Sequence, residues 1–208
     1  MFEFPKDPVS AQEFFEKVVP EAFAQIPLPE GVEEHAVKLG IRLEGEGGGE
    51  WLFALVGQRL QVTPGSRAEA AFSLVQSVAD WRGALWEGRG GAIGKQAGNL
   101  FRPGAIPADR APKPELLKPL EALDGLVHLL VTGGSGGDWC LGLKLGPGEI
   151  PAEPSTTVSI TSADAEAMEK GELDPMQAFM SGQIRVAGDI ALMMQFQLIL
   201  MQAAAGTD

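Results

Sequence analysis

Apolar and polar residues alternate from Val37 to Leu43, where Val37, Leu39, Ile41 and Leu43 are separated by Lys38, Gly40 and Arg42. A period of two predicts a strand with one buried side. The pattern returns in Trp139, Leu141, Leu143 and Leu145 around Cys140, Gly142 and Lys144, and in the short run Gln183-Ile184-Arg185-Val186. Helical spacing appears early: Phe14, Phe15, Val18, Val19 and Phe23 follow the capping box Ser10-Ala11-Gln12-Glu13, and Pro20 is expected to kink or restart that helix. Thr161 with Asp164, and Asp174 with Pro175 and Gln177, open two later helices, and Gly182 suits the end of the second. From about Ile190 to Ala203 the pattern stays helical but is apolar on nearly every side. Such a helix is either enclosed or lines a cavity for an apolar guest.

The elements recur. Val127, Leu129 and Val131 followed by Gly136-Gly137-Asp138-Trp139 match Leu39, Ile41 and Leu43 followed by Gly48-Gly49-Glu50-Trp51 at a fixed separation (139 − 51 = 88). Ser77-Val78-Ala79-Asp80 returns as Thr161-Ser162-Ala163-Asp164 (164 − 80 = 84), each followed by a short helix closed at Gly88 or Gly171. Two copies of one strand–turn–strand–helix plan predict an α+β protein of two similar halves, each a mainly antiparallel sheet covered by helices. Residues 102–114 hold four prolines and little periodicity, so they read as a semi-rigid linker between a first unit at 1–101 and a second at 115–208. Nothing in the first copy corresponds to the apolar terminal helix. The first is expected either to pack against the second as a degenerate partner or to share one enlarged cavity with it.

Composition narrows the function classes. With 208 residues and 45% apolar content the chain can bury a sizeable core. Acids outnumber bases 28 to 16, for a formal charge of −12, which repels nucleic-acid phosphates and anionic lipid headgroups. Nucleic acid is excluded as a partner, and membrane contact is expected to be transient at most. Cys140 is the sole cysteine, so no internal disulfide is possible, in keeping with a reducing compartment. The start, Met1-Phe2-Glu3-Phe4-Pro5-Lys6, lacks the basic and apolar regions of a secretion signal, and the run Ile190–Met201 is too short to span a bilayer. A cytoplasmic location is the expectation.

Catalytic and metal chemistry find little support. His35 follows Glu33-Glu34, and His128 lies within a strand from Leu126 to Val131, neither at zinc-ligand spacing from other donors. No metal, cofactor or catalytic residue is expected. The glycine runs at 133–137 and 45–49 lack the lysine of a phosphate loop and read as hairpin turns. Arg185 falls on the solvated side of its strand.

The ordered succession Asp164, Gly171, Asp174-Pro175, Ala178-Phe179, Ser181-Gly182, Ile184, Val186, Gly188, Leu192, Met194 and Gln197 closely resembles the sterol carrier protein type 2 domain. A looser likeness reaches back to about Glu115, and a degenerate copy covers about 10–101. The resemblance implies an α+β lipid-binding fold without catalysis, whose pocket takes sterols, fatty acids or fatty acyl-CoA. On that footing the expected wall residues are Trp139, Phe179, Met180, Ile184, Val186, Ile190, Met193, Met194, Gln197 and Met201. Methionine suits such a wall because it is flexible and polarisable. A buried Gln197 amide would need a partner, either a lipid oxygen or a backbone carbonyl. Three functions fit: a lipid carrier, an accessory subunit holding a lipophilic intermediate such as an isoprenoid quinone for a biosynthetic enzyme complex, or an interaction module with a filled core.

Overall fold

The computed structural model describes residues 2–26, 37–102 and 118–205. The expected linker lies almost wholly outside the described residues, as does His35. Eight strands form the sheet: β1 Leu39–Glu44, β2 Gly49–Val56, β3 Arg59–Pro64, β4 Phe72–Ser77, β5 Gly125–Thr132, β6 Trp139–Leu145, β7 Thr156–Thr161 and β8 Arg185–Gly188. Their spatial order is β3-β2-β1-β4-β6-β5-β7-β8. Two pairings, β1 with β4 and β5 with β7, are parallel and the other five antiparallel. The sequence pattern predicts two separate sheets. A single mixed sheet forms instead, because β4 and β6 pair through Phe72↔Leu145 and Leu74↔Leu143 and leave no internal edge.

Each hairpin turns where glycine permits it. Gly45 and Gly47, between β1 and β2, have φ of 101° and 76°, and Gly133 and Gly137, between β5 and β6, have φ of 71° and 85°. Asp138 steadies the second turn by accepting from the Gly133 amide at 3.1 Å.

The helices are α1 Ala11–Glu13, α2 Val19–Phe23, α3 Val78–Arg82, α4 Gly91–Asn99, α5 Ser162–Glu169, α6 Pro175–Met180 and α7 Ile190–Ala205. Three-residue α1 continues into α2 through a π-helical turn at Phe14–Val18, in which the Val19 amide reaches back to the Phe14 carbonyl. Pro20 explains that widening, since it has no N–H to return to the preceding turn. A second π-helical turn, Gly83–Glu87, follows α3 and ends at Gly88 with φ of 70°.

Helical residues join the core on one face of the sheet. Phe14 and Phe15, both 0% exposed, pack with Ile41, Trp51, Phe53, Trp81 and Leu85 in the amino-terminal core. Leu192, Phe196 and Ile199 of α7 pack with Leu120, Val127 and Leu145. Trp139, Val131, Ile160 and Ala165 form a third cluster. Register puts Ile41 beside Trp51 and Val131 beside Trp139, so all three clusters share one side of the sheet.

Candidate functional site

Helix α7 carries sixteen residues with no charged side chain. Its inner stripe is Leu192, Phe196 and Ile199, which are buried, and half-buried Met193 packs against the same cluster. Its outer stripe exposes Ile190, Met194, Leu198 and Met201, between 57% and 70% accessible. Asp189 caps the entry by accepting from the Leu192 amide at 2.9 Å, and its own carbonyl accepts from the Thr156 hydroxyl at 2.8 Å. Those two bonds pin the start of α7 to β7.

The ten expected wall residues do not converge. Trp139 is fully buried and donates its indole N–H to the Asp80 carbonyl at 3.0 Å, and half-buried Ile184 packs on the same cluster. Val186 pairs with Val158 across β8 and β7, and Met193 joins the α7 core. Ile190, Met194, Gln197 and Met201 lie on the outside of α7, and Phe179 and Met180 are 52% and 79% exposed on α6. Gln197 is therefore solvated, and its amide needs no internal partner. Sequence reasoning passed over Leu192, Phe196 and Ile199 as the inward stripe, although they too follow helical spacing.

A small, partly open cavity of ≈ 20 Å³ lies between β1, β4 and β6 and the helical segments carrying Trp81, Ala84, Leu85, Ala97 and Gly98. Outside it an open groove of ≈ 610 Å³ runs over α4 toward α5 and includes Lys95, Arg102, Glu166, Glu169 and Lys170.

Three titratable groups in the second half, Asp124, His128 and Cys140, are shifted. Burial, opposed by Glu44 and Glu153, pushes His128 below its ordinary 6.5. Burial, helped by the Asp80 carboxylate, raises the Cys140 thiol and keeps it protonated, a poor state for a nucleophile. Among the described residues no group of three His, Cys, Asp or Glu side chains could hold a metal ion. No described helix is long and apolar enough to cross a membrane.

A mixed sheet with helices packed on one face, ending in an uncharged helix laid across it, defines an α+β protein in which apolar surface is the main chemical resource. Residues 107–201 match the SCP-2 sterol transfer family, and this stretch is a domain of that family. Hydroxysteroid dehydrogenase-like protein 2 of Xenopus tropicalis is 33% identical over 111 residues, covering 47% of this chain and 27% of that protein. Peroxisomal multifunctional enzyme type 2 of Mus musculus is 38% identical over 82 residues, covering 37% of this chain and 11% of that protein. The chain thus spans about a quarter or less of the length of these curated relatives. The solution structure of sterol carrier protein domain 2 of Helicoverpa armigera has 24% identity and a TM-score of 0.31, covering 44% of this chain and 75% of that one.

Proposed function

We propose that residues 115–208 bind an apolar lipid, of the fatty acid, acyl-CoA, sterol or terpenoid class, and carry or present it in the cytoplasm without converting it. The observation that carries this reading is the two-sided apolar character of α7. Its inner stripe holds it on the sheet, at about 25 cal/mol per Å² of apolar surface buried. Its outer stripe has no charge to desolvate, so a guest can lodge against the helix or slip beneath it at small electrostatic cost. On this reading Ile190, Met193, Met194, Gln197 and Met201 meet the guest as α7 shifts, with Phe179 and Met180 at the mouth and Trp139, Ile184 and Val186 on the inner wall.

Residues 1–101 are the degenerate partner of that domain. The same pairing order, β2-β1-β4 and β6-β5-β7, each antiparallel then parallel, supports a duplicated plan. Exposed Met176, Phe179 and Met180 favour a second role, presentation of the lipid to a biosynthetic enzyme, over unassisted contact with an anionic membrane.

Native mass spectrometry of the purified chain, followed by lipid extraction, tests for a guest. Met194→Glu tests its place: the residue is 65% exposed, so the fold should lose no more than about 0.5 kcal/mol, whereas a carboxylate against an acyl chain should cut uptake of a fluorescent fatty acid by about tenfold or more. Uptake equal to the parent's would remove the guest from α7.

A further inference from the structure

Helix α7 is apolar on two opposite sides, and the sheet uses only one of them. Leu192, Phe196 and Ile199 pack inward. On the other side Ile190, Met194, Gln197 and Met201 follow one another at intervals of four, three and four residues. That is the d-a-d-a spacing of a heptad, the 3.5-residue repeat by which one helix lies along another, and Leu198 flanks it at an e position. In the same frame Leu192 and Ile199 both take position f, so the sheet and the heptad seam sit on opposite sides of the helix.

The seam is open. Ile190, Met194, Leu198 and Met201 are 61%, 65%, 57% and 70% accessible, and Gln197 is exposed with them. A row of apolar side chains on the surface of a chain that elsewhere carries 28 acids marks a contact site. The bonds from the Leu192 amide to Asp189 and from Thr156 to the Asp189 carbonyl fix the helix start, so the seam is presented on a firm support.

Charge decides which occupant fits. Two copies of a chain at −12 repel one another, and that repulsion is least where neither surface carries an acid. Helix α7 has no charged side chain over its sixteen positions. Its four exposed apolar side chains and Gln197 offer roughly 500–600 Å² per copy, so a pair would bury about 1,100 Å², at the lower end of specific interfaces. The ends of the helix set the direction. Parallel packing would hold the two Asp189 carboxylates about 8–10 Å apart and align like ends of the helix dipoles, whereas antiparallel packing separates both.

We propose that α7 is a self-association surface, on which a second copy of this chain lays its own α7 antiparallel to form a two-fold symmetric dimer. Ile190 of one copy meets Met201 of the other, and Met194 meets Gln197. Gln197 is the single polar member of the seam, and near the two-fold axis its amide pairs with its own counterpart, which fixes the register. A contact of this size gives a reversible dimer with a Kd of about 1–100 μM. The dimer goes beyond the lipid reading and does not rest on it, since a guest beneath the inner stripe leaves the seam free.

Sedimentation velocity of the full chain, stripped of lipid, from about 1 to 300 μM tests the pairing. The mass is expected to rise from 22.0 kDa toward twice that value. Raising salt from about 50 to 500 mM should tighten the dimer a few-fold, because it screens the repulsion between acidic surfaces. Met194→Glu alone and Gln197→Lys alone should each stay monomeric, while an equimolar mixture should associate, because position 194 of one copy faces position 197 of the other. A mass of 22.0 kDa throughout the parent's range would overturn the proposal, and that series needs neither variant to fold. So would a dimer that survives Met194→Glu, which would put the interface elsewhere, or one that loosens with salt, which would make it an ion-paired contact. A mixture no more associated than either variant alone would refute the antiparallel pairing. Uptake of a fluorescent fatty acid by a parent chain that stays monomeric would dismiss the dimer and leave the lipid reading standing.

Discussion

Lys144 shows how one residue can be indispensable without being catalytic. Its side chain is 1% exposed, yet Nζ donates to Asp124 Oδ1 at 2.9 Å and to the carbonyls of Leu145, Gly146 and Pro147 at 2.6, 3.3 and 3.2 Å. A buried ammonium is tolerable only when so fully satisfied. Lys144→Met would keep the volume and strip the carbonyls of their donor, at about 2–3 kcal/mol, or roughly 5–10 °C in melting temperature for a chain of this size. A melting point within a degree of the parent's would refute that role. Asp124 is different: it is 88% exposed, and the Lys144 hydrogen bond and charge hold its carboxyl below the usual range. Its contribution is present above the carboxylate's unfolded pKa and fades as pH falls through the lowered folded value. Being open to solvent, that contribution is small.

His128 sets a second pH dependence of the same sign. It stands on the sheet face opposite the helices, beside Gly142 and Thr157 in register, and burial keeps it neutral below 6.5 against the pull of Glu44 and Glu153. As pH drops through 6.5 the unfolded chain takes the proton first, so stability declines until the folded histidine titrates as well. His128→Gln should flatten the melting temperature between pH 7 and 5.5. Equal slopes for parent and variant would show that this histidine is not responsible.

Among the elements, caps and hairpins were the legible part. Ser10, Thr161 and Asp174 each accept from the amide three residues on, at 3.1, 3.1 and 3.0 Å, as their side chains and spacing require. β1 and β6 follow from alternation, which puts their large apolar side chains on the face under the helices. The orientation of α7 did not follow. Its stripes Ile190-Met194-Gln197-Met201 and Leu192-Phe196-Ile199 both recur at helical spacing, and with no charged side chain on either, periodicity cannot choose the inward one. Contacts distant in sequence chose it, through Leu120, Val127 and Leu145. For the same reason the proposed wall residues scattered: a list built on one rotation of a helix moves as a block when the other rotation wins.

For the whole molecule, the recurring strand and turn patterns of the sequence describe local plans, but nothing in them says how the strands of 39–77 and 125–188 meet. The β4–β6 pairing is set by edge complementarity: β4 and β6 would each be an open edge if the halves stood apart, and pairing Leu74 with Leu143 and Val75 with Gly142 removes both edges at once. Across the same seam, Trp139 bonds to Asp80, and Arg89 pairs with Asp80 at 3.4 Å while reaching the Asp138 carbonyl at 2.7 Å. An acidic surface at −12 surrounds this shared interior, so affinity for a guest is expected to come from burial and not from charge.

The continuity of the sheet across β4 and β6 makes the covalent connection dispensable for assembly. Two polypeptides, one ending at residue 102 and the other starting at 118, should find each other when co-expressed and elute together as a one-to-one complex. Expressed singly, each would present a raw strand edge and tend to precipitate or self-associate. Two soluble, independent monomers would mean that the seam is a convenience of tethering. Heterodimer formation would make this chain a natural split reporter, reconstituted by its own backbone.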